Sequence, residues 1–372
     1  MWLRALNVDR LRNLKSVDVK LTAGLTLVTG RNGHGKTSLL EAAYLLGTAH
    51  SFRTRKLDEL VGWQGGPLRV SGEVAGLAME NRLSLVVDQG VRRLFVDGAE
   101  RDLQVFLGNL DLVALPNETT RILRDGPEGR RRFVDSGVAG LRPSFLNDLG
   151  SYRRVLAERN ALLRRGDGAA GRAPENHEME AWEDRLAAAS SRIHRQRREY
   201  IVRMASRMGP AERWLFPDGE AIRVRYLPSP AVTGESDPSQ LEARFRDALV
   251  SKRRRDKSLG FTTDGPHRDD LEVTLEGVDL RRFGSAGQLR AAMIALCAGK
   301  LGLLRDERRE APLFLMDDFD SDLDEGRTRS LVDFLRDGGF QSLMATSKDG
   351  FVDRLGVPFH RIRMEGGIAR AA

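Results

Sequence analysis

Near its start the chain reads Gly30-Arg31-Asn32-Gly33-His34-Gly35-Lys36-Thr37, between the apolar run Leu25–Thr29 and the helical pattern 38–46. A strand, a glycine-rich loop ending in Gly-Lys-Thr and a helix together predict a phosphate-binding loop, the Walker A motif. The glycines allow backbone N–H groups to point at an anion, and the helix adds the positive end of its dipole. We expect Lys36 to reach the β- and γ-phosphates of a nucleoside triphosphate and Thr37 to bind Mg²⁺. The predicted nucleotide contacts are Gly30, Arg31, Asn32, Gly33, His34, Gly35, Lys36, Thr37 and Ser38.

A second motif lies far down the chain, where the apolar run 313–316 ends in Asp317-Asp318. Open α/β sheets place their ligand chemistry at the C-terminal ends of strands, so this pattern predicts a Walker B strand. Asp317 is expected to hold Mg²⁺, and Asp318 to orient the attacking water or accept its proton. The alternative, two exposed acids at a strand end, is disfavoured by the Walker A motif in the same chain.

Between these motifs the chain reads Ser285-Ala286-Gly287-Gln288 at the start of a helical run. Taken alone, this tetrapeptide is typical of an ordinary serine N-cap. A serine at a helix N-terminus also offers a second anion site, and its position between Walker A and Walker B resembles the signature of ABC-type ATPases. Ser285, Gly287 and Gln288 therefore join the predicted nucleotide contacts. The predicted catalytic residues are Lys36, Asp318 and Ser285.

Composition excludes several classes of protein. The single cysteine, Cys297, leaves no internal disulfide framework and indicates a reducing, cytoplasmic setting. No stretch approaches the roughly 20 apolar residues of a membrane span, and no secretory signal is visible, so we expect no membrane partner. The net charge of +7 favours a polyanionic partner, with DNA first among the candidates.

The basic charge is concentrated in three arginine-rich runs of helical pattern. Two lie between residues 115 and 208, before and after a glycine-rich, flexible break predicted at 166–171, and the third is a basic helix at 240–257. A solvated helical face explains any single run of this kind. Three runs in one helical region favour a surface that binds the DNA backbone. The candidate DNA contacts are Arg130, Arg131, Arg132, Arg153, Arg154, Arg253 and Arg254.

The order of patterns predicts an α/β fold in three segments. Residues 1–114 alternate in the manner of strands around the Walker A helix, and 115–260 are mainly helical and rich in arginine. Residues 261–372 alternate strand and helix, which favours a parallel sheet shared with the N-terminal segment. We expect an ATPase head built from both chain ends, with the helical lobe inserted between them.

The chain resembles the RecF family, the bacterial recombination-mediator ATPases related to SMC proteins. The resemblance rests on markers that occur in family order along most of the chain. They are Arg12-Asn13-Leu14, the Walker A loop with Leu39-Leu40-Glu41-Ala42, Ser51-Phe52-Arg53-Thr54, 129–135, 152–160, 265–271, Phe283-Gly284-Ser285, and Asp317-Asp318 with Asp322-Leu323-Asp324. The departures are Ala286 and Leu289, where the family usually has glutamines, and Leu115-Pro116-Asn117-Glu118, where it usually has Ser-Pro-Glu-Asp.

The resemblance implies an ABC-type P-loop ATPase head with a mixed sheet and helices, and no long coiled coil. It implies a homodimer that forms on ATP, with Ser285 of one subunit facing Lys36 of the other and 321–324 contacting the neighbouring subunit. It also implies binding to double-stranded DNA and gapped junctions, RecR- and RecO-like partners, and help in loading recombinase. Thr346-Ser347 stands in place of a switch histidine, which suggests weak, DNA-stimulated ATP hydrolysis that drives release.

Two alternatives stay open. A transporter-type or other ABC ATPase would carry similar motifs, although the arginine-rich insertion and the missing switch histidine favour the first interpretation. A small-molecule P-loop phosphotransferase would need an acceptor pocket and no signature of the Ser285 type. The sequence contains no Asn-Lys-x-Asp base-reading motif, so ATP is expected rather than GTP, with Mg²⁺ as the metal.

Overall fold

The computed structural model describes residues 1–63, 65–77, 79–164, 176–232, 237–319, 323–348 and 356–371. Its strands are β1 (Trp2–Leu11), β2 (Leu14–Lys20), β3 (Leu25–Thr29), β4 (Leu68–Ala75), β5 (Glu80–Asp88), β6 (Val91–Val96), β7 (Ala99–Glu100), β8 (Leu112–Leu115), β9 (Ile222–Leu227), β10 (Asp270–Leu275), β11 (Val278–Asp279), β12 (Leu313–Met316), β13 (Ser342–Thr346), β14 (His360–Glu365) and β15 (Ile368–Ala371).

Its helices are α1 (Lys36–Thr48), α2 (Leu103–Phe106), α3 (Thr120–Arg124), α4 (Pro127–Leu141), α5 (Phe145–Arg164), α6 (Asn176–Ala205), α7 (Gly209–Leu215), α8 (Pro238–Leu259), α9 (Leu280–Phe283), α10 (Ala286–Arg308) and α11 (Glu325–Asp337). The chain divides into two compact units. The first consists of Met1–Leu123, Met204–Ile222 and Leu275–Ala372, and the second of Arg124–Arg203 and Arg223–Thr274.

The site-bearing sheet of the first unit has the strand order β15-β14-β3-β13-β12-β8. All neighbours from β14 to β8 pair in parallel, and β15 is an antiparallel edge strand. Strands β3, β12 and β13 are buried along their whole length, which explains why they read as continuous apolar runs. Their shared direction brings the C-terminal ends of β3 and β12 to one edge of the sheet, and this edge carries both Walker motifs.

A second sheet, with the order β2-β1-β4-β5-β6-β7, is antiparallel throughout. Helix α1 packs against strands of both sheets and buries Leu39, Leu40, Leu45 and Leu46. Burial of each such leucine stabilises the fold by about 1.5–3 kcal/mol relative to exposure. The helix that begins at the phosphate loop is therefore also the core element of this unit.

Helix α10 is the other buried element of the first unit. Among the described residues it is the one helix long and apolar enough to cross a membrane by length and composition, and 83% of its apolar window is buried inside the protein. It packs against α7 and β8. A Cβ atom at Gly299 would lie 2.7 Å from the Met204 carbonyl oxygen, so this close approach requires glycine. Burial of this kind is typical of a core helix.

The second unit contains α4, α5 and α8, most of α6, and the adjacent strands β9 and β10 of a small sheet. Its interior holds charged side chains. Arg159, which is 0% exposed, donates to Asp256 at 2.8 Å and to Glu183 at 3.0 Å. Buried ion pairs of this kind are stable only when both partners are present. Part of the arginine content of this region is therefore structural.

The predicted fold class is confirmed: the protein is an α/β ATPase head with an inserted, mainly helical part. The three segments predicted at 1–114, 115–260 and 261–372 are each continuous in sequence, whereas each compact unit combines separate stretches of the chain. Residues 204–222 pack with the first unit, because Met204 and α7 lie against α10. The glycine-rich break predicted at 166–171 lies outside the described residues.

Candidate nucleotide-binding site

The phosphate loop depends on three glycines with positive φ, Gly30 at 139°, Gly33 at 80° and Gly35 at 103°. Side chains rarely adopt such angles. A Cβ at Gly30 would also overlap the Met364 carbonyl oxygen, and one at Gly35 would lie 2.6 Å from a Leu14 methyl group. Gly35 is the N-cap of α1 and offers no side-chain acceptor. The first N–H groups of the helix are therefore available to an anion.

Lys36 is buried at the base of this loop with its ammonium directed back across it. Its Nζ donates to the carbonyl oxygens of Gly30 at 2.7 Å and Arg31 at 3.3 Å. These neutral acceptors hold the ammonium where the negative charge of phosphate oxygens would attract it more strongly. Arg31 and Asn32 are exposed at the loop's outer edge.

Thr37 and Asp317 connect the two Walker motifs. The Thr37 hydroxyl donates to Asp317 Oδ2 at 2.8 Å, across 280 residues of sequence. Burial raises the pKa of Asp317 above its ordinary value; the Thr37 hydrogen bond opposes this shift, and the neighbouring Asp318 adds to it. Asp317 Oδ1 is buried and has no hydrogen-bond partner. A hydroxyl beside a carboxylate with a free, buried oxygen is a donor set that suits Mg²⁺, whose charge would favour the ionised carboxylate.

Asp318 lies in a strained turn directly after β12. Its φ of 45° is in the left-handed region, which costs a residue other than glycine about 1–3 kcal/mol. Asn117 Nδ2 donates to its Oδ2 at 2.9 Å. Arg290, which is fully buried on α10, donates to the carbonyl oxygens of Asp317 at 3.1 Å and Asp318 at 3.4 Å. The turn that presents Asp318 is thus held from α10 and from the segment after β8.

Ser285 is the N-cap of α10 and is exposed. Its hydroxyl oxygen accepts from the Gln288 N–H at 3.2 Å, and Gln288 Oε1 accepts from the Ser285 N–H at 3.0 Å, which together form a capping box. The ordinary capping role is therefore present. The Ser285 hydroxyl hydrogen remains able to donate to an outside acceptor, because the capping bond uses only a lone pair. Gly287 is half-buried in the first turn of the helix.

The phosphate loop is supported by the β1–β2 turn and by the hairpin of β14 and β15. Asn13 Nδ2 donates to the Gly33 carbonyl at 2.8 Å, and Asn13 Oδ1 accepts from the Ser38 hydroxyl at 2.8 Å. Gly367 N–H donates to the His34 carbonyl at 3.2 Å. The His34 ring, through Nδ1, lies 3.3 Å from the Met364 carbonyl. Ser38 and His34, predicted as nucleotide contacts, use their side chains to hold the loop in shape.

A buried carboxylate ties the turn to α1 and to the loop that follows it. Glu41, at 0% exposure, accepts from Arg12 Nε at 2.5 Å and from the Ser51 hydroxyl at 2.5 Å. The sequence marks four of these residues only as family motifs and does not predict their contacts: Arg12, Asn13, Glu41 and Ser51. Their positions in the motifs were the available signal, but a sequence does not show that residues 29 positions apart meet.

The structure corrects one of the candidate DNA contacts and shows a second to be held by a carboxylate. Arg130 is 2% exposed, donates to Asp270 at 2.6 Å and to the Asp125 carbonyl at 2.7 Å, and so holds the fold rather than facing solvent. Arg253 makes a bidentate pair with Glu183 and is 18% exposed. The prediction for Arg130 is wrong, because its guanidinium is buried in an ion pair. Arg253 stays a prediction, with its guanidinium already bound by Glu183.

The remaining candidates differ in how they are held. Arg131 is half-buried and donates to the Asp269 carbonyl at 2.7 Å, and exposed Arg132 pairs with Glu128 one helical turn away. The other three are exposed: Arg153, Arg154 and Arg254. Ser321 and Asp322, which the resemblance places at a subunit contact, lie outside the described residues.

Comparison with known proteins identifies the family. A family model described as "AAA domain, putative AbiEii toxin, Type IV TA system" matches residues 25–346, from β3 to the end of β13. A DNA replication and repair protein RecF of Myxococcus xanthus is 34% identical over 356 residues, which cover 95% of this chain and 92% of that protein. The chain belongs to the RecF family. A RecF of Anaeromyxobacter sp. is 33% identical and covers 99% and 98% of the two chains.

RecF structures also match the architecture. The recombination mediator protein RecF with ATP shares 28% identity with this chain at a TM-score of 0.89, covering 100% of this chain and 97% of that one. The same protein with ATPrS gives 27% and 0.88, covering 100% and 98%. The Smc head domain of Pyrococcus furiosus gives 14% and 0.55, covering 100% and 96%, which shows a shared fold alone. The resemblance to RecF is therefore confirmed.

Proposed function

We propose that this chain is a DNA replication and repair ATPase that binds ATP and Mg²⁺ at its two Walker motifs. The observation that carries the proposal is the 2.8 Å contact of Thr37 with Asp317. It brings the predicted metal donors of both motifs together beside the glycine loop. RecF membership supports the same conclusion, since a RecF structure with ATP matches the whole chain.

The phosphates bind to the N–H groups of the glycine loop and of the first turn of α1. Lys36 Nζ exchanges its two carbonyl acceptors for phosphate oxygens, and the glycine φ angles keep the loop open to receive them. Thr37 and Asp317 would hold Mg²⁺, which would supply positive charge against the phosphates. Arg31, Asn32 and His34 border the site.

Hydrolysis requires a water in line with the γ-phosphate. Asp318 orients this water and accepts its proton. Its turn is fixed by Arg290 and Asn117, so the carboxylate is positioned before ATP arrives. Hydrolysis is weak and is stimulated by DNA.

The signature completes the site in a homodimer. Ser285 and the exposed N-terminus of α10, with Gly287 and Gln288, contact the γ-phosphate held by Lys36 of a second copy. ATP thus joins two heads, and hydrolysis separates them. The cycle takes place in the cytoplasm.

DNA binds through its phosphates to the exposed arginines of the helical unit, Arg132, Arg153, Arg154 and Arg254, with a smaller part for half-buried Arg131. Such contacts carry little sequence preference. The DNA that binds is double-stranded DNA at gapped junctions, where the ATP-bound dimer helps to load recombinase together with RecR- and RecO-like proteins.

ATP hydrolysis by purified protein, with and without a gapped duplex, tests this proposal. Lys36→Ala should abolish ATP binding, whereas Lys20→Ala, an exposed lysine on β2, should behave as the parent chain. Asp318→Asn should still bind ATP and lose about 100-fold or more in turnover, as expected for a general base. Turnover of Lys36→Ala at the parent rate would overturn the proposed site.

A further inference from the structure

Asn32 and Gly33 form an Asn-Gly step at the exposed edge of the phosphate loop. Asn32 is the one asparagine of the sequence that precedes a glycine. Asparagine is among the thermolabile residues, because the main-chain nitrogen of the next residue can attack its side-chain amide. Glycine favours this attack, since it has no Cβ to block the approach and its backbone has the widest range of conformations. The sequence therefore places its most reactive asparagine inside the motif that binds phosphates.

The turn that contains this step is open to solvent. The His34 N–H donates to the Arg31 carbonyl at 3.2 Å, which is longer than the usual distance of about 2.9–3.0 Å. Asn32 and Gly33 are both exposed, and a Cβ atom at Gly33 would meet nothing within 4 Å. A firmer contact, from Asn13 at 2.8 Å, reaches the Gly33 carbonyl, which belongs to the following peptide. The peptide between Asn32 and Gly33 therefore has room to bring the Gly33 nitrogen to the Asn32 side chain.

Other asparagines lack this combination of neighbour and exposure. The side chains of Asn13, Asn117 and Asn160 are each held by a hydrogen bond, at 2.8 Å, 2.9 Å and 2.7 Å respectively. They are followed by leucine, glutamate and alanine, whose Cβ atoms hinder the approach to the next nitrogen. The structure thus distinguishes Asn32 from these asparagines by both criteria.

We infer that Asn32 is a site of spontaneous deamidation that closes the nucleotide site, and that bound nucleotide protects it. The Gly33 nitrogen gives its proton to hydroxide and forms a bond to the side-chain carbonyl carbon of Asn32. The bond from this carbon to the amide nitrogen breaks, and the nitrogen takes a proton from water and leaves as ammonia. The product is a five-membered succinimide ring, which water opens to aspartate or isoaspartate.

Deamidation changes both the charge and the backbone of the loop. Either product carries a carboxylate beside the phosphate position, and like charges repel. Isoaspartate also adds a methylene group to the main chain, which displaces the N–H groups that follow. Bound phosphates oppose the reaction, because a Gly33 N–H that donates to a phosphate oxygen is not available for attack. Closure and protection rest on the proposed nucleotide site, whereas the deamidation itself does not.

Peptide mapping of the purified protein, stored in mildly alkaline buffer, measures the reaction, and calorimetric titration with ADP measures its consequence. Amide loss should be faster at Asn32 than at Asn147, which is also exposed but precedes an aspartate. The fraction of protein that binds ADP should fall by the same amount as the fraction modified at Asn32 grows. ADP in the storage buffer should slow the loss in the parent chain but not in Lys36→Ala.

Two variants separate the reaction from its effect on binding. Asn32→Gln should lose ammonia far more slowly than the parent, because attack on the longer side chain must close a six-membered ring. Asn32→Asp carries the charge without any storage, and it should weaken ADP binding at least about 10-fold through repulsion of the phosphates.

Other outcomes would overturn the inference. If the parent binds ADP but Asn32 keeps its amide as long as Asn147 does, or if Asn32→Asp binds ADP as the parent does, the inference fails and the nucleotide site stands. Equal amide loss with and without ADP, in a parent that binds ADP, would contradict the protection. A parent that binds no ADP would overturn the nucleotide site together with this inference.

Discussion

The phosphate loop and the arginine-rich helical unit are both prominent in the sequence. They differ in how well the sequence indicates where the side chains lie. In the loop, the motif residues lie where their chemistry requires, with Thr37 against Asp317. In the helical unit, Arg130, Arg159 and Arg197 are buried in ion pairs and only part of the arginine set faces solvent. A motif with fixed spacing constrains the backbone, whereas a run of charge does not indicate which side chains point outward.

The largest expected effect tests this difference within one helix. Arg159→Ala would remove the buried cation that Asp256 and Glu183 share, and Glu183 alone would keep a second pair, with Arg253. We expect it to lower the free energy of unfolding by about 3–5 kcal/mol. Exposed Arg153, six positions earlier on α5, should change it by less than about 0.5 kcal/mol when replaced by alanine. Denaturant unfolding of both variants measures this, and equal effects would contradict the assignment of buried and exposed arginines.

The same pair separates structure from DNA binding. Arg153→Ala should weaken binding to a duplex and reduce the slope of affinity against salt concentration, because a phosphate contact releases counterions. An unchanged salt slope would show that Arg153 does not contact DNA phosphates.

An intermediate effect is expected at the hairpin that supports the phosphate loop. A Cβ at Gly367 would overlap the carbonyl oxygen of Asn13, whereas one at Gly366 would meet nothing within 4 Å. Both glycines have positive φ, at 83° and 55°, so alanine is strained at either position. Gly367→Ala should lower the free energy of unfolding by about 1–3 kcal/mol beyond Gly366→Ala, the usual cost of overpacking. It should also weaken ADP binding more than Gly366→Ala does, because Gly367 holds the His34 carbonyl of the phosphate loop. Titration calorimetry with ADP measures the affinity of both variants. Equal affinities would show that the hairpin does not position the loop.

The smallest effect concerns Asp317. Because burial raises its pKa in the folded state, ionised Asp317 destabilises the nucleotide-free fold, and this cost appears as pH rises through the unfolded pKa towards the folded one. Asp317→Asn should therefore raise the melting temperature of the nucleotide-free protein at neutral pH by about one or two degrees.

The same variant should lose the extra stabilisation that ATP with Mg²⁺ gives to the parent. Thermal scans at pH 4.5 and 7.5, with and without nucleotide, measure both parts. A variant less stable than the parent at neutral pH would contradict the pKa direction. Full stabilisation by ATP with Mg²⁺ would remove Asp317 from the metal site.

Local patterns predicted much of this molecule. The buried runs of β3 and β12 and the glycine loop follow from composition over a few residues, and the parallel sheet follows from their alternation with helices. The contacts of Arg290, Asn117 and Gly367 could not be predicted in this way, because each joins segments that are distant in sequence. The same limit applies to Arg130 and Arg253, whose carboxylate partners lie 140 and 70 residues away.

Sedimentation of the purified protein with ATP, with ADP and without nucleotide measures whether ATP joins two copies of this chain. We expect a dimer only with ATP, strengthened by a gapped duplex and absent in Lys36→Ala. A monomer under every condition, or a dimer of Lys36→Ala with ATP, would contradict the proposal that ATP joins two heads through Lys36 and Ser285.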